Sequence, residues 1–280
     1  MPVGLYDKFY VFDPKRRLIH AACFKDRIFH HGIMKYCAPV LERAMTPSTF
    51  ACLPGRGTVA AAKQVQRCLQ RYSWYVKIDI QKYFDSIDHA LLFSLLQRRF
   101  KGKELLEAVE KIIHSYHTAS GKGLPIGSLT SQHFANYYLD GFDRYLLEHL
   151  RVNGHVRYMD DIIWWCTCRH EAKETLSRAL RYLEEDRLLS LSKPPQINRS
   201  DRGVSFCGFR ILPGALKLGR RRCLRYTLRR IDWENEYTAG RINERKLQAA
   251  YASVRAITAN ADSREWRREN LRRFPSSVIM

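Results

Sequence analysis

The residues Tyr158-Met159-Asp160-Asp161 stand between His155-Val156-Arg157 and the apolar run Ile162-Ile163-Trp164-Trp165. Strand-forming residues on both sides of a short acidic centre predict a β-hairpin with the carboxylates at its tip. Two adjacent aspartates at a tight turn repel each other, and a pair of divalent cations between them would relieve that repulsion. Taken alone, the four residues also suit an ordinary solvated turn, so the rest of the chain has to decide.

Upstream, Tyr75-Val76-Lys77-Ile78-Asp79-Ile80 reads as a second strand, in which Trp74, Val76, Ile78 and Ile80 alternate with Tyr75, Lys77 and Asp79. Asp79 therefore shares a face with Lys77, opposite the buried one. Aspartate is disfavoured inside a strand unless its carboxylate has a function or the edge is wet. Side by side, the two strands would gather Asp79, Asp160 and Asp161 into a three-carboxylate cluster suited to two Mg2+ ions and in-line phosphoryl or nucleotidyl transfer.

At these residues the chain resembles the reverse transcriptases. Lys77-Ile78-Asp79-Ile80-Gln81-Lys82-Tyr83-Phe84-Asp85-Ser86-Ile87 is similar to the family's first catalytic motif, and Tyr158 to Asp161 to its YxDD box. Gly123-Leu124-Pro125-Ile126-Gly127-Ser128-Leu129-Thr130-Ser131-Gln132 stands where the family has LPQGxxxSP, with Ile126 in place of Gln and Gln132 in place of Pro. Both departures resemble the reverse transcriptases of diversity-generating retroelements, bacterial and phage systems that copy a template RNA with errors at adenines. Ordered motifs run from about residue 9 to residue 215.

The resemblance implies an α+β right-hand polymerase: fingers over residues 1–73, an antiparallel-sheet palm over 74–215 with a helical fingers insertion near 100–120, and a basic helical thumb over 216–280. It implies an RNA-directed DNA polymerase whose metal positions are Asp79, Ile80, Asp160 and Asp161, holding two Mg2+ with Mn2+ as a substitute. Lys193, closing Leu189-Ser190-Leu191-Ser192-Lys193, matches the lysine that approaches the triphosphate and protonates the leaving pyrophosphate. Family members usually begin some tens of residues earlier, so the chain looks short at its N-terminus. Its 280 residues are expected to leave no room for an RNase H, endonuclease or integrase domain.

Residues 9–22 read as an extended hairpin turning at Asp13-Pro14-Lys15, in the place of the family's fingers hairpin. That assigns Arg17 and Lys15 to the incoming triphosphate. Arg56, in the flexible turn Cys52-Leu53-Pro54-Gly55-Arg56-Gly57-Thr58, suits phosphate or template contact, although the turn lacks the Gly-Lys-Ser/Thr ending of a P-loop. Phe84 lies at the family's sugar gate, where a ring would clash with a ribose 2′-hydroxyl; a core aromatic beside Tyr83 is the other reading. Ile126, Gly127 and Gln132 belong to the loop that meets the nascent base pair. Isoleucine offers no polar group there, so geometry would be checked less strictly and fidelity lowered, unless Ile126 is merely buried.

Val204-Ser205-Phe206-Cys207-Gly208-Phe209-Arg210-Ile211 is similar to the primer grip, with Phe206 and Gly208 as nucleic-acid contacts. From Lys217 to Arg273 there are 16 Lys/Arg against 7 Asp/Glu in a helical pattern. Arg220, Arg221, Arg222, Arg225 and Arg229 recur on adjacent turns as a phosphate track along the template–primer duplex.

Composition agrees with a polyanionic partner. The formal charge of +20 on 280 residues favours nucleic acid over an anionic membrane, because no basic segment carries a separate apolar face. Hydrophobic content of 45% suits a folded core, and no apolar run approaches a membrane span. The 8 cysteines lack any Cys-x-x-Cys pair, which favours reduced thiols over zinc and agrees with a cytoplasmic, bacterial or phage-infected setting. Template RNA, primer or cDNA, and dNTPs are the implied partners, together with a basic, pentameric accessory protein. Retron-, group II intron- and defence-type reverse transcriptases, and an inactive RNA-binding relative, are the alternatives.

Overall fold

The computed structural model describes residues 4–12 and 16–278. In chain order its first elements are β1 (Tyr6–Phe12), β2 (Arg16–Ala22), α1 (Phe24–Ala44), α2 (Thr58–Arg71), β3 (Trp74–Asp79), α3 (Tyr83–Ser86), α4 (His89–Gln97) and α5 (Lys103–His114). There follow α6 (Leu129–Tyr138), α7 (Asp140–Arg144), β4 (Gly154–Tyr158), β5 (Asp161–Cys166), α8 (Arg169–Arg187) and β6 (Gln196–Arg199). The last are β7 (Val204–Phe206), β8 (Phe209–Leu212), β9 (Ala215–Leu218), α9 (Arg220–Thr238), α10 (Glu244–Ala256) and α11 (Arg264–Arg273). They form two compact units, residues 1–57 with 72–198, and residues 58–71 with 199–280.

In the first unit the sheet order is β4-β5-β3-β6, and β5 pairs antiparallel with both β3 and β4. Ile162 through Cys166 of β5 have no exposed surface, since helices cover the sheet and α8 packs on β3 and β5. Full burial of such side chains contributes roughly 1.5–3 kcal/mol each. The alternation expected in β3 holds only at one end: Tyr75 is buried on the face shared with Lys77 and Asp79, so that face opens to solvent only toward the acidic end.

Asp88 caps α4, accepting from the Leu91 amide at 3.0 Å, as its place before the leucine run predicts. Ser128 behaves differently. It sits at the N-cap of α6, but its hydroxyl pairs with His30 Nδ1 and Thr130 Oγ1, each at 2.9 Å, and makes no cap bond. After it the chain forms α6, α7 and a π-helical turn over Tyr145–His149, with Phe134, Tyr137, Tyr138 and Phe142 buried in the core and Tyr145 half-buried.

A charged cluster is buried behind the hairpin. Arg157 and Asp143 are fully covered and pair at 2.7 Å, and Thr49 donates to the same carboxylate at 2.8 Å. Arg157 also donates to Asn136 Oδ1 at 2.8 Å and to the Asn136 carbonyl at 2.9 Å. His155 lies beside this pair, with Nδ1 2.7 Å from Ser48 Oγ and Nε2 3.4 Å from Asp143. Burial pushes its pKa down to about 4, the Asp143 charge opposing and Arg157 reinforcing the shift. Unfolded, the imidazole takes up a proton below about pH 6.5 that the folded protein does not bind until about pH 4. Its contribution to stability is therefore whole above pH 6.5 and lost as pH falls toward 4. His155→Gln should flatten the acid limb of a Tm-versus-pH curve, by up to about 3 kcal/mol relative to wild type at the acid end.

In the second unit α2 packs on the three-stranded antiparallel sheet β7-β8-β9. Ala61, Ala62, Val65 and Leu69 are buried, and Gln66 and Gln70 donate to the carbonyls of Leu212 and Pro213 at 3.2 and 2.7 Å. This helix falls in the stretch expected to be fingers, yet its small apolar face belongs to the C-terminal unit. Inside that unit Arg230 pairs with Glu234 at 2.8 Å, and Tyr251 donates to the same carboxylate at 3.0 Å. Among the described residues no helix is long and apolar enough to cross a membrane.

Candidate active site

The sheet register brings two of the predicted carboxylates together: Asp79 at the end of β3 faces Asp161 at the start of β5, and Tyr158 of β4 faces the same residue. Directly opposed residues carry their side chains on one face with Cβ atoms ~5 Å apart. Met159 and Asp160 form the connecting turn, and Met159 is held at φ +57°, a left-handed conformation that costs a non-glycine residue roughly 1 kcal/mol. Arg157 reaches the Met159 carbonyl at 3.3 Å, tying this turn to the buried cluster.

The electrostatics of the cluster are those of crowded anions. Burial pushes the Asp161 carboxyl up to about 6; Lys77 opposes the shift at 3.0 Å, and Asp160 and Asp79 add to it. Asp79 instead accepts from Ser192 Oγ at 2.7 Å. Hard carboxylate oxygens in mutual repulsion suit divalent cations of the Mg2+ class. Among the described residues no three His, Cys, Asp or Glu side chains converge tightly enough to hold a metal as they stand, because Asp161 is turned to Lys77 and Asp79 to Ser192.

Segment 190–192 lies along the end of β3. Ser192 donates its amide to the Asp79 carbonyl and Gln81 donates its own to the Ser190 carbonyl, both at 2.9 Å, around an antiparallel bridge between Ile80 and Leu191. Strand alternation then aims the Ile80 carbonyl the opposite way, toward the β5 side and the aspartates. Lys193, the next residue, is exposed. Ser192 was missed as a site residue; its only signal was its place one residue before Lys193.

The residues that the sequence assigns to the substrate lie in the first unit. The Leu124 amide donates to the Phe84 carbonyl at 2.8 Å and the Gly123 amide to Ile87 at 2.9 Å, so the two motifs are stitched together. Phe84 is half-buried against the core while Tyr83 is fully within it. Ile126 is half-buried too, and its carbonyl accepts from the His20 amide of β2 at 2.8 Å. Gly127 has φ +115°, and a Cβ there would lie 2.8 Å from Ile19 Cγ2, so β2 presses on a position only glycine can fill. Arg17, exposed and paired with Val11, is on the same hairpin face as Ile19. Gln132 accepts from the Cys52 thiol at 3.6 Å. Arg56 is turned inward, donating to the carbonyls of Thr46 and Thr49 at 3.1 and 2.6 Å, and so braces its own turn. Lys15 lies outside the described residues.

The nucleic-acid candidates lie in the second unit. Gly208 sits in a turn at φ +78°, and a Cβ there would meet Arg222 Nε at 2.9 Å. The Arg222 guanidinium in turn covers the Phe209 ring at 4.0 Å. Phe206 has its ring buried at 2% exposure, which leaves the adjoining turn, not the ring, accessible to a strand end. Arg220, Arg221, Arg225 and Arg229 are exposed; Arg222, Arg225 and Arg229 line, with Trp233, a cleft of about 380 Å3 between α9 and α10.

Compared with known families, residues 13–211 match the profile described as "Reverse transcriptase (RNA-dependent DNA polymerase)". The COX1/OXI3 intron 2 protein of Saccharomyces cerevisiae is 24% identical over 56% of this chain and 26% of its own length. The group II intron-encoded protein LtrA of Lactococcus lactis is 25% identical over 48% of this chain and 23% of its own. The chain thus spans about a quarter of each of these relatives. Among solved structures, telomerase from Candida albicans, in complex with a fragment of telomeric RNA, superposes with a TM-score of 0.56 at 11% identity, covering 91% of this chain and 55% of that one. The likeness is one of fold, and with the antiparallel sheet backed by helices it makes this a right-hand polymerase fold.

Proposed function

Because the chain belongs to the reverse transcriptase family, we propose that it copies RNA into DNA at the Asp79–Asp160–Asp161 cluster, and does so with errors at template adenines, as part of a diversity-generating retroelement. The observation that carries the polymerase reading is the register that opposes Asp79 and Asp161 beside the Asp160 turn. Asp79, Asp160 and Asp161, with the Ile80 carbonyl, would hold two Mg2+ or Mn2+ ions. When bound, these lower the pKa of the attacking primer 3′-hydroxyl and neutralise the triphosphate and departing pyrophosphate. Lys193, exposed next to Ser192, is the proton donor to the leaving group. Arg17 steadies the triphosphate, with Lys15 as a second cation, and the basic helices of the second unit follow the phosphates of template and primer. Gly208 admits a primer end, and the backbone beside buried Phe206 contributes more than its ring.

Phe84 excludes ribonucleotides by volume. Phe84→Val should raise rNTP use relative to dNTP by about 10- to 200-fold, read as the ratio of kcat/KM values in primer extension. Ile126 supports the error-prone reading, since its side chain has no hydrogen bond to offer a base pair. Ile126→Gln should lower misincorporation opposite adenine by about fivefold to tenfold, the worth of one hydrogen bond of ~1 kcal/mol, as counted by sequencing cDNA. Gln132, held by Cys52, accompanies Ile126 in the same loop.

A retroelement of this type implies a template-repeat RNA and a basic pentameric accessory protein as partners; with a chain of +20, RNA or an acidic patch would have to bridge the two. Similarity to the intron-encoded protein LtrA favours a group II intron-type enzyme as the second reading. Primer extension on an RNA template with Mg2+, omitting one dNTP at a time, decides between them. Extension past adenines without dTTP and arrest elsewhere supports the diversifying enzyme. Arrest at every base keeps the polymerase and removes the fidelity reading; no extension, with or without the accessory protein, removes both.

A further inference from the structure

Lys77 has no part in the chemistry above, yet its ammonium lies 3.0 Å from Asp161 Oδ1, with the two side chains only 17% and 28% exposed. The register explains the contact. Asp79 faces Asp161 across β3 and β5, and Lys77, two residues back on the same face, is Asp161's diagonal neighbour, within reach of a long side chain. A freely exposed pair would contribute little, but this one is mostly covered and stands among two further carboxylates, where solvent and salt screen it poorly.

We propose that Lys77 is an internal counter-ion that competes with a divalent cation for Asp161 and thereby sets the concentration at which the acidic cluster takes up metal. The ammonium and a cation would claim the same carboxylate oxygen and repel each other. Metal binding must therefore move the ammonium aside or turn Asp161 away from it. Ser192 holds Asp79 with a neutral hydroxyl and imposes no such repulsion. Lys77 puts a positive charge against this acidic cluster, so removing it strengthens the field any cation meets. This rests on the reading of the three aspartates as a metal site.

The test follows thermal unfolding over a Mg2+ series at constant ionic strength for the wild-type chain, Lys77→Met, Lys77→Arg and Asp160→Asn, and reads the cation concentration that gives half of the maximal stabilisation. Lys77→Met should reach its half-point at about tenfold lower Mg2+ than wild type, and Lys77→Arg within about twofold of wild type. A half-point for Lys77→Met that is unchanged or higher overturns the proposal, as does an arginine variant that behaves like the methionine one. If Lys77→Met does not fold, Lys77→Gln is measured in its place under the same criterion. A wild-type chain that neither Mg2+ nor Mn2+ stabilises, indistinguishable from Asp160→Asn, overturns the metal reading itself and the proposal with it.

Discussion

Asp160→Asn is expected to lower primer extension by about a thousandfold or more, ~4 kcal/mol of transition-state stabilisation, while leaving retention of RNA within about twofold. Asp160 occupies the turn between β4 and β5, where the strand register puts it next to the opposed pair Asp79 and Asp161. Asparagine keeps the size and the turn but removes one of the three carboxylate charges that would hold the cations. In the reading proposed above, RNA retention rests on exposed arginines of the second unit, such as Arg220 and Arg225, which this change does not touch. A filter-binding assay beside the extension assay separates the two. Extension within tenfold of wild type would remove the aspartates from the chemistry; a parallel loss of RNA binding would mean that the variant is misfolded.

Arg157→Met should lower Tm by about 6–15 °C, the consequence of ~3–5 kcal/mol lost when one partner of a buried ion pair is removed and the other stays. Asp143 would be left charged and fully covered, and Asn136 and the Met159 carbonyl would each lose a donor. The double variant Arg157→Met, Asp143→Leu should recover most of the loss, because two apolar groups leave no unpaired charge. Differential scanning calorimetry of the single and double variants checks both statements. A single variant within about 2 °C of wild type would show that the pair does not hold the hairpin.

Much of the site was legible in the chain. The alternation around Asp79 and the apolar flanks of Tyr158 to Asp161 determine two strands with acidic ends, and a period-two pattern leaves no other face for Lys77 and Asp79 to share. The hairpin over residues 9–22 and the cap at Asp88 were equally local, being set by residue type and spacing. The family too was readable from motif order, since residues in contact with a common substrate must keep their sequence relation to the strands that carry them.

Other features were decided by tertiary structure. Nothing local turns Arg56 onto the carbonyls of Thr46 and Thr49, or sends the Ser128 hydroxyl to His30 and not to its own helix. A polar group takes the partner that burial leaves available, and burial is a property of the whole fold. The place of α2 with the C-terminal unit came from the complementarity of its alanine face to β8 and β9, a match between surfaces more than a hundred residues apart in the chain. Likewise the sequence determined that Asp79, Lys77 and Asp161 exist on strand faces, but only the β3–β5 register made Asp79 and Asp161 direct partners and put Lys77 one diagonal away. A shift of one residue would have turned every one of these side chains to the opposite face.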